Sequence, residues 1–102
     1  MNGIVKVIKL IDADRQAGYS IVEKPPKYLV GKIGIITRPF TQWNGYWVGF
    51  FFHMGNTMWI RKQYVLHRDE IVEATDEERE KFNDMQKSWE NEMDAYKVAE
   101  QL

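Results

Sequence analysis

A histidine-activated hydroxyl would have to be assembled from His53, His67, Ser20 and Ser88, since the chain has two histidines, two serines and no cysteine. A catalytic hydroxyl needs a base within hydrogen-bond reach and a third group to orient that base. The histidines stand fourteen residues apart, and neither serine sits in a recognisable context. His67-Arg68-Asp69-Glu70 carries metal-capable side chains, but one histidine beside surface acids reads as a solvated run rather than a ligand set. No glycine-rich loop opens a helix to cradle phosphate. The expectation is a protein that is not an enzyme and holds neither metal nor cofactor.

Recognition chemistry is better supplied. Aromatic residues make up 14% of the chain, and large aromatics dominate the energetics of protein interfaces. Tyr28, Trp43, Tyr46, Trp59 and Tyr64 are the candidate anchors for a protein partner. Trp89, Met93 and Tyr96 recur at helical spacing and form a second candidate surface, for a partner or for a second copy of the chain. Lys24, Lys27, Lys32, Arg38 and Arg61 supply the cations that RNA or DNA binding would need to neutralise phosphate, with tyrosine and tryptophan faces on which bases could stack. Protein binding is the leading expectation and nucleic acid the alternative.

The elements that must hold these side chains follow from periodicity. From Asn44 to Val65 the chain reads NGYWVGFFFHMGNTMWIRKQYV, two aromatic strand patterns joined at Met54-Gly55-Asn56. Alternation puts Tyr46, Val48, Phe50 and Phe52 on one face and Trp47, Gly49, Phe51 and His53 on the other, as a strand covered on both faces requires. Ile4–Ile11 reads as a first strand and Tyr19–Glu23 as a short second one. Lys24-Pro25-Pro26-Lys27 cannot lie in a ladder, because proline removes the donor. A third strand is expected over Ile33–Arg38, stopped by Pro39, with a loop to the turn signal Asn44-Gly45. Thr75-Asp76-Glu77-Glu78 is a capping box that starts a helix over about residues 75–100. Phe82, Met85, Trp89, Met93 and Tyr96 form its apolar stripe. Such a helix, about 39 Å long, is longer than a 70-residue barrel is wide, roughly 28 Å, so its far end is expected to overhang.

The strand order resembles the Src-homology-3 fold. Asn44-Gly45-Tyr46-Trp47-Val48-Gly49 is similar to that family's paired aromatics. Trp59-Ile60-Arg61-Lys62-Gln63-Tyr64-Val65 is similar to the later strand that leads through a short helical turn to a tyrosine-valine pair. Tyr28-Leu29-Val30-Gly31-Lys32-Ile33 is similar to its glycine-bearing diverging turn. The resemblance implies a five-stranded barrel over residues 1–72, with the acidic amphipathic helix over 73–102, in an α+β chain. It would place Tyr46 and Tyr64 in a peptide groove. Arg61 replaces the family's proline before the helical turn, so polyproline recognition is not the expectation. Val30-Gly31-Lys32-Ile33-Gly34-Ile35-Ile36 also resembles the turn of KOW-type barrels, which favours the nucleic-acid alternative.

Composition sets the bounds. At 102 residues and 44% apolar, the chain has enough material for one compact core. Ten Lys/Arg against five Asp/Glu precede residue 71, and four against ten follow, so a basic half of +5 meets an acidic tail of −6 in a total of −1. No apolar run reaches membrane-spanning length, and the start of the chain lacks the apolar segment of a secretory signal. The expectation is a cytoplasmic protein with no membrane association, of the size of an accessory or virus-encoded regulator.

Overall fold

A computed structural model describes residues 3–17, 20–54 and 58–101, with the side chains of 17, 20, 54, 58 and 96–101 left aside. Seven strands and one long helix occur among these residues: β1 (Ile4–Val7), β2 (Arg15–Ala17), β3 (Ser20–Val22), β4 (Ile33–Phe40), β5 (Gly45–Met54), β6 (Met58–His67), β7 (Ile71–Glu73) and α1 (Asp76–Gln101). The chain is α+β. Five strands form one antiparallel sheet in the order β6-β5-β4-β1-β7, and β2 and β3 pair separately as a hairpin. No pairing joins β6 to β7 among the described residues, so the sheet is open.

The alternation read along β5 sorts the two cores. Val48 and Phe50 are buried on one face with Val5, Val7, Leu29, Tyr64, Leu66 and Ile71, and Tyr46 and Phe52 pack against them. Phe51 points to the opposite face, where Ile4, Ala74 and Phe82 are buried and Ile33, Ile35, Trp59, Met85 and Trp89 pack alongside. This second core lies between sheet and helix. Gly34 is where β4 crosses the first core, and a methyl group there would lie 2.7 Å from both Phe50 Cε1 and Val48 Cγ1.

Helix α1 begins at the capping box. The Thr75 hydroxyl accepts from the Glu78 amide at 3.2 Å, and the Glu78 carboxylate accepts from the Thr75 amide at 3.0 Å. Three acids in the first turn complement the helix dipole. The helix crosses the strands in turn, with Phe82 and Trp89 each 5.5 Å from the Phe51 ring. At Glu92 it reaches the outer edge of the sheet, where the carboxylate accepts from the Trp59 amide at 3.2 Å. Residues 93–101 extend the helix for about 14 Å beyond that contact. The resulting shape is elongated: the radius of gyration is 15.0 Å and the longest extent 46 Å, against about 13 Å expected for a compact chain of this length.

Several expectations are corrected. The first strand ends at Val7: the Ile8 amide still donates to the Glu70 carbonyl, but by Ile11 the backbone amide meets the Glu70 carboxylate instead of a strand. The short strand at 20–22 pairs with β2 rather than joining the main sheet, whose fifth member is the unexpected β7. Pro39 does not stop β4, which runs to Phe40 after a bulge between Ile36 and Arg38. Beyond Ile35 β1 no longer pairs with β4, and a proline costs little on a strand whose neighbour has ended. Residues 59–65 hold no helical turn. They are continuous strand, and the turn lies at Arg68–Glu70, before β7. Phe82, Met85 and Trp89 of the apolar stripe cover a face of the sheet. Gly18, Tyr19, Gly55, Asn56 and Leu102 lie outside the described residues.

Candidate interaction surface

Two features organise the surface: a groove at the hairpin end of β5 and β6, and a buried ion pair that fixes the β2-β3 hairpin. The groove begins with a helical turn at Lys27–Leu29, which follows Pro25-Pro26. Proline fixes the entry angle of that turn, and the turn buries Leu29 while leaving Tyr28 59% exposed. The Tyr28 ring meets Phe52 edge-on at 5.9 Å. Register sets His53 opposite Trp59, and their rings lie 4.8 Å apart. Phe51, Ile60 and Met85 complete the apolar lining, while Lys32 and Lys62 supply charge, around a volume of about 700 Å³. No carboxylate is among the described lining residues. The Lys62 ammonium lies 5.2 Å over the Tyr64 ring and 3.3 Å from Glu23. The Tyr64 hydroxyl and then Glu23 hold its pKa above the usual lysine value. Burial pushes the Tyr64 phenol up.

The ion pair joins Arg15 of β2 to Glu70 of the turn before β7, both fully buried. Arg15 Nη2 donates to Glu70 Oε2 at 2.6 Å, and the same guanidinium donates to the carbonyls of Val65 and Ile11. Glu70 also accepts from the Ile11 amide at 2.6 Å and the His67 amide at 2.7 Å. Trp43 lies over the guanidinium, 4.5 Å from Cζ, and its ring meets His67 at 5.1 Å. Both Nη atoms of Arg15 and both carboxylate oxygens of Glu70 are thus satisfied, as a buried ion pair requires, while the Arg15 Nε stays buried without a hydrogen-bond partner among the described residues. It holds the wall of a second cavity, of about 570 Å³, which includes Leu10, Asp12, Lys24, Pro26 and Lys27.

The sequence-predicted residues do not form one site. Tyr28, Trp59 and Lys32 meet in the groove. Trp43 is committed to Arg15, and Tyr46 packs against the first core. Tyr64 is corrected as an anchor, because at 2% exposure its ring is core and unavailable to a partner. Trp89 is half-buried against Phe51, Met93 is half-buried, and the Tyr96 side chain lies outside the described residues. The five candidate cations are dispersed rather than gathered: Lys24, paired with Asp12, and Lys27 line the second cavity. Arg38 stacks on Trp47 at 4.8 Å, and the Arg61 guanidinium passes over Gly49. Sequence reasoning missed Phe52, His53 and Met85 as groove residues, and a turn centred on position 55 would not have set His53 opposite Trp59, as the observed register does. It also read Glu70 as a surface acid, where it is fully buried. No helix among the described residues is long and apolar enough to cross a membrane. Set against known proteins, the chain matches no family model, no curated protein and no solved structure.

Proposed function

We propose that this is a non-catalytic protein-interaction module, a small cytoplasmic adaptor or regulator, which docks a partner protein in the groove between Tyr28, Trp59 and Met85. The observation that carries the reading is the convergence of apolar side chains from the 27–29 turn, β5, β6 and α1 on one groove whose only formal charges among the described lining residues are Lys32 and Lys62. Exposed aromatics set beside desolvated aliphatics are the usual composition of an interface hot spot. Two lysines in a groove whose described lining holds no carboxylate favour a partner segment that combines apolar side chains with carboxylates, which would compete with the exposed Glu23 for Lys62. The strand order, the β2-β3 hairpin after β1 and the helical turns before β4 and β7 support a Src-homology-3-like barrel as the scaffold. The overhanging end of α1 would offer a second contact surface, for a partner or a second copy.

Nucleic acid is the second reading, because Lys32 and Lys62 flank two rings, Tyr28 and Trp59, on which bases could stack. A photo-crosslinking amino acid at position 28, in the cells that naturally make the protein, tests both. Protein adducts at position 28 that are absent with the probe at Glu80 are the expected result. Nucleic-acid adducts, or identical adducts at the two positions, would refute the protein reading. Salt separates the classes in solution, since phosphate-driven binding weakens steeply and log-linearly with salt concentration and apolar docking does not.

A further inference from the structure

β6 is an edge strand, and three contacts fix which of its residues face outward. The Trp59 amide donates to Glu92, the Val65 carbonyl accepts from Arg15, and the His67 amide donates to Glu70. None of these partners belongs to β5, and all three residues share the two-residue phase of an antiparallel ladder. Arg61 and Gln63 share that phase, so their N–H and C=O groups also point away from β5. Both residues are exposed, and no donor or acceptor among the described residues meets those backbone groups. The open stretch between Trp59 and Val65 is about 20 Å long, capped by the helix at one end and by the Arg15 guanidinium at the other.

We propose that this edge accepts an extended, acidic segment of the partner protein as an added strand. The inference rests on the protein-interaction reading and states the geometry of the contact. Four backbone groups at strand spacing supply the hydrogen bonds of strand addition, while pockets beside the edge select side chains. On one side the added strand meets Arg61; on the other it meets Lys62 and the groove with Lys32. Two carboxylates beside the edge, Glu23 and Glu92, are already engaged by Lys62 and the Trp59 amide. A second copy is disfavoured as the occupant, because an edge-to-edge pair centred on this stretch sets Lys62 opposite Lys62, and like charges directly opposed destabilise a ladder. Charged side chains on an edge exclude self-pairing, and here they admit a strand of opposite sign.

The test is selection from a random-peptide display library on the intact protein, followed by synthesis of the enriched peptides. Expected are peptides with carboxylates at alternate positions, which slow amide exchange at Arg61 and Gln63 by about tenfold or more. N-methylation at every second peptide residue should weaken binding by about tenfold, with little effect at intervening residues. The double variant Arg61→Glu/Lys62→Glu should lose the same peptides by a similar factor. Peptides that perturb Tyr28 and Trp59 but leave both amides exchanging freely would overturn strand addition and leave the groove reading standing. No enrichment at all would count against both. A dimer that protects both amides without peptide would also overturn the inference.

Discussion

Replacing Glu70 by glutamine tests whether the buried clasp holds the fold together. The substitution preserves shape but leaves Arg15, fully buried, without its counter-charge. The amide also faces an arrangement of donors alone. One carboxylate oxygen takes Arg15 Nη2 and the Ile11 amide, and the other takes the His67 amide. Whichever way the glutamine turns, its NH₂ meets another N–H. Breaking a buried pair by removing one partner costs about 3–5 kcal/mol. An unfolding entropy of about 2.1 cal/mol/K per residue makes each kcal/mol worth roughly 4–5 °C in a chain of this length, so Tm should fall by about 14–23 °C. Thermal unfolding followed by circular dichroism at pH 7 measures this directly. Asp69→Asn, at the exposed neighbouring position, is the control and should stay within about 0.5 kcal/mol. The double variant Arg15→Met/Glu70→Gln should recover part of the loss, because it removes the stranded charge. A Glu70→Gln protein melting within about 4 °C of the parent would refute the reasoning, since that is less than one kcal/mol.

The helix-side core makes a second prediction. Phe82 is fully buried and Trp89 half-buried, so Phe82→Ala should cost about 3–5 kcal/mol in urea unfolding and Trp89→Ala roughly half that. Truncation after Glu92 keeps Phe82, Met85, Trp89 and the hydrogen bond from the Trp59 amide to Glu92, and the shortened chain should remain folded. If the residues beyond it form a self-association seam, light scattering should report a monomer, whereas an unchanged oligomer would remove that role. The Glu78 carboxyl is held below the usual carboxylate range by the Thr75 amide and then by Lys6. A depressed pKa stabilises above the unfolded value and loses its effect as pH falls through the folded one. The Tm difference between the parent and Glu78→Gln should therefore be full at neutral pH and close below about pH 4.

Local chemistry was legible where neighbours in sequence are neighbours in space. Thr75 and Glu78 announce a helix start because their hydrogen bonds close within one turn. The alternation from Tyr46 to His53 announces a strand with two faces, because both faces are apolar. Asn44-Gly45 announces a turn, and Asn44 adopts the left-handed conformation with φ 56°. What could not be read depends on partners far along the chain. Arg15 and Glu70 are separated by 55 residues, and nothing local distinguishes a buried arginine from an exposed one. Ile71-Val72-Glu73 is too short for a periodic signal and becomes a strand only because β1 has a free edge. The groove was half visible. Tyr28 and Trp59 were named, but Met85 reaches it from a helix whose docking face is fixed by Phe51, and Tyr64 looked like an anchor until its neighbours closed over it.

The order in which the two cores are completed has a consequence for biosynthesis. Among the described residues five of the seven strands end by Met54, and β6 by His67, yet the helix residues that cover the face carrying Ile35 and Phe51 are Phe82, Met85 and Trp89. During translation that apolar face stays open until the helix has cleared the ribosome. At about 5–20 residues per second the interval between His67 and Glu92 lasts a few seconds, long enough for a chaperone to bind the nascent sheet. Transcripts or proteolytic fragments that end before Phe82 would leave the same face permanently bare, and their products should aggregate or be degraded rather than accumulate.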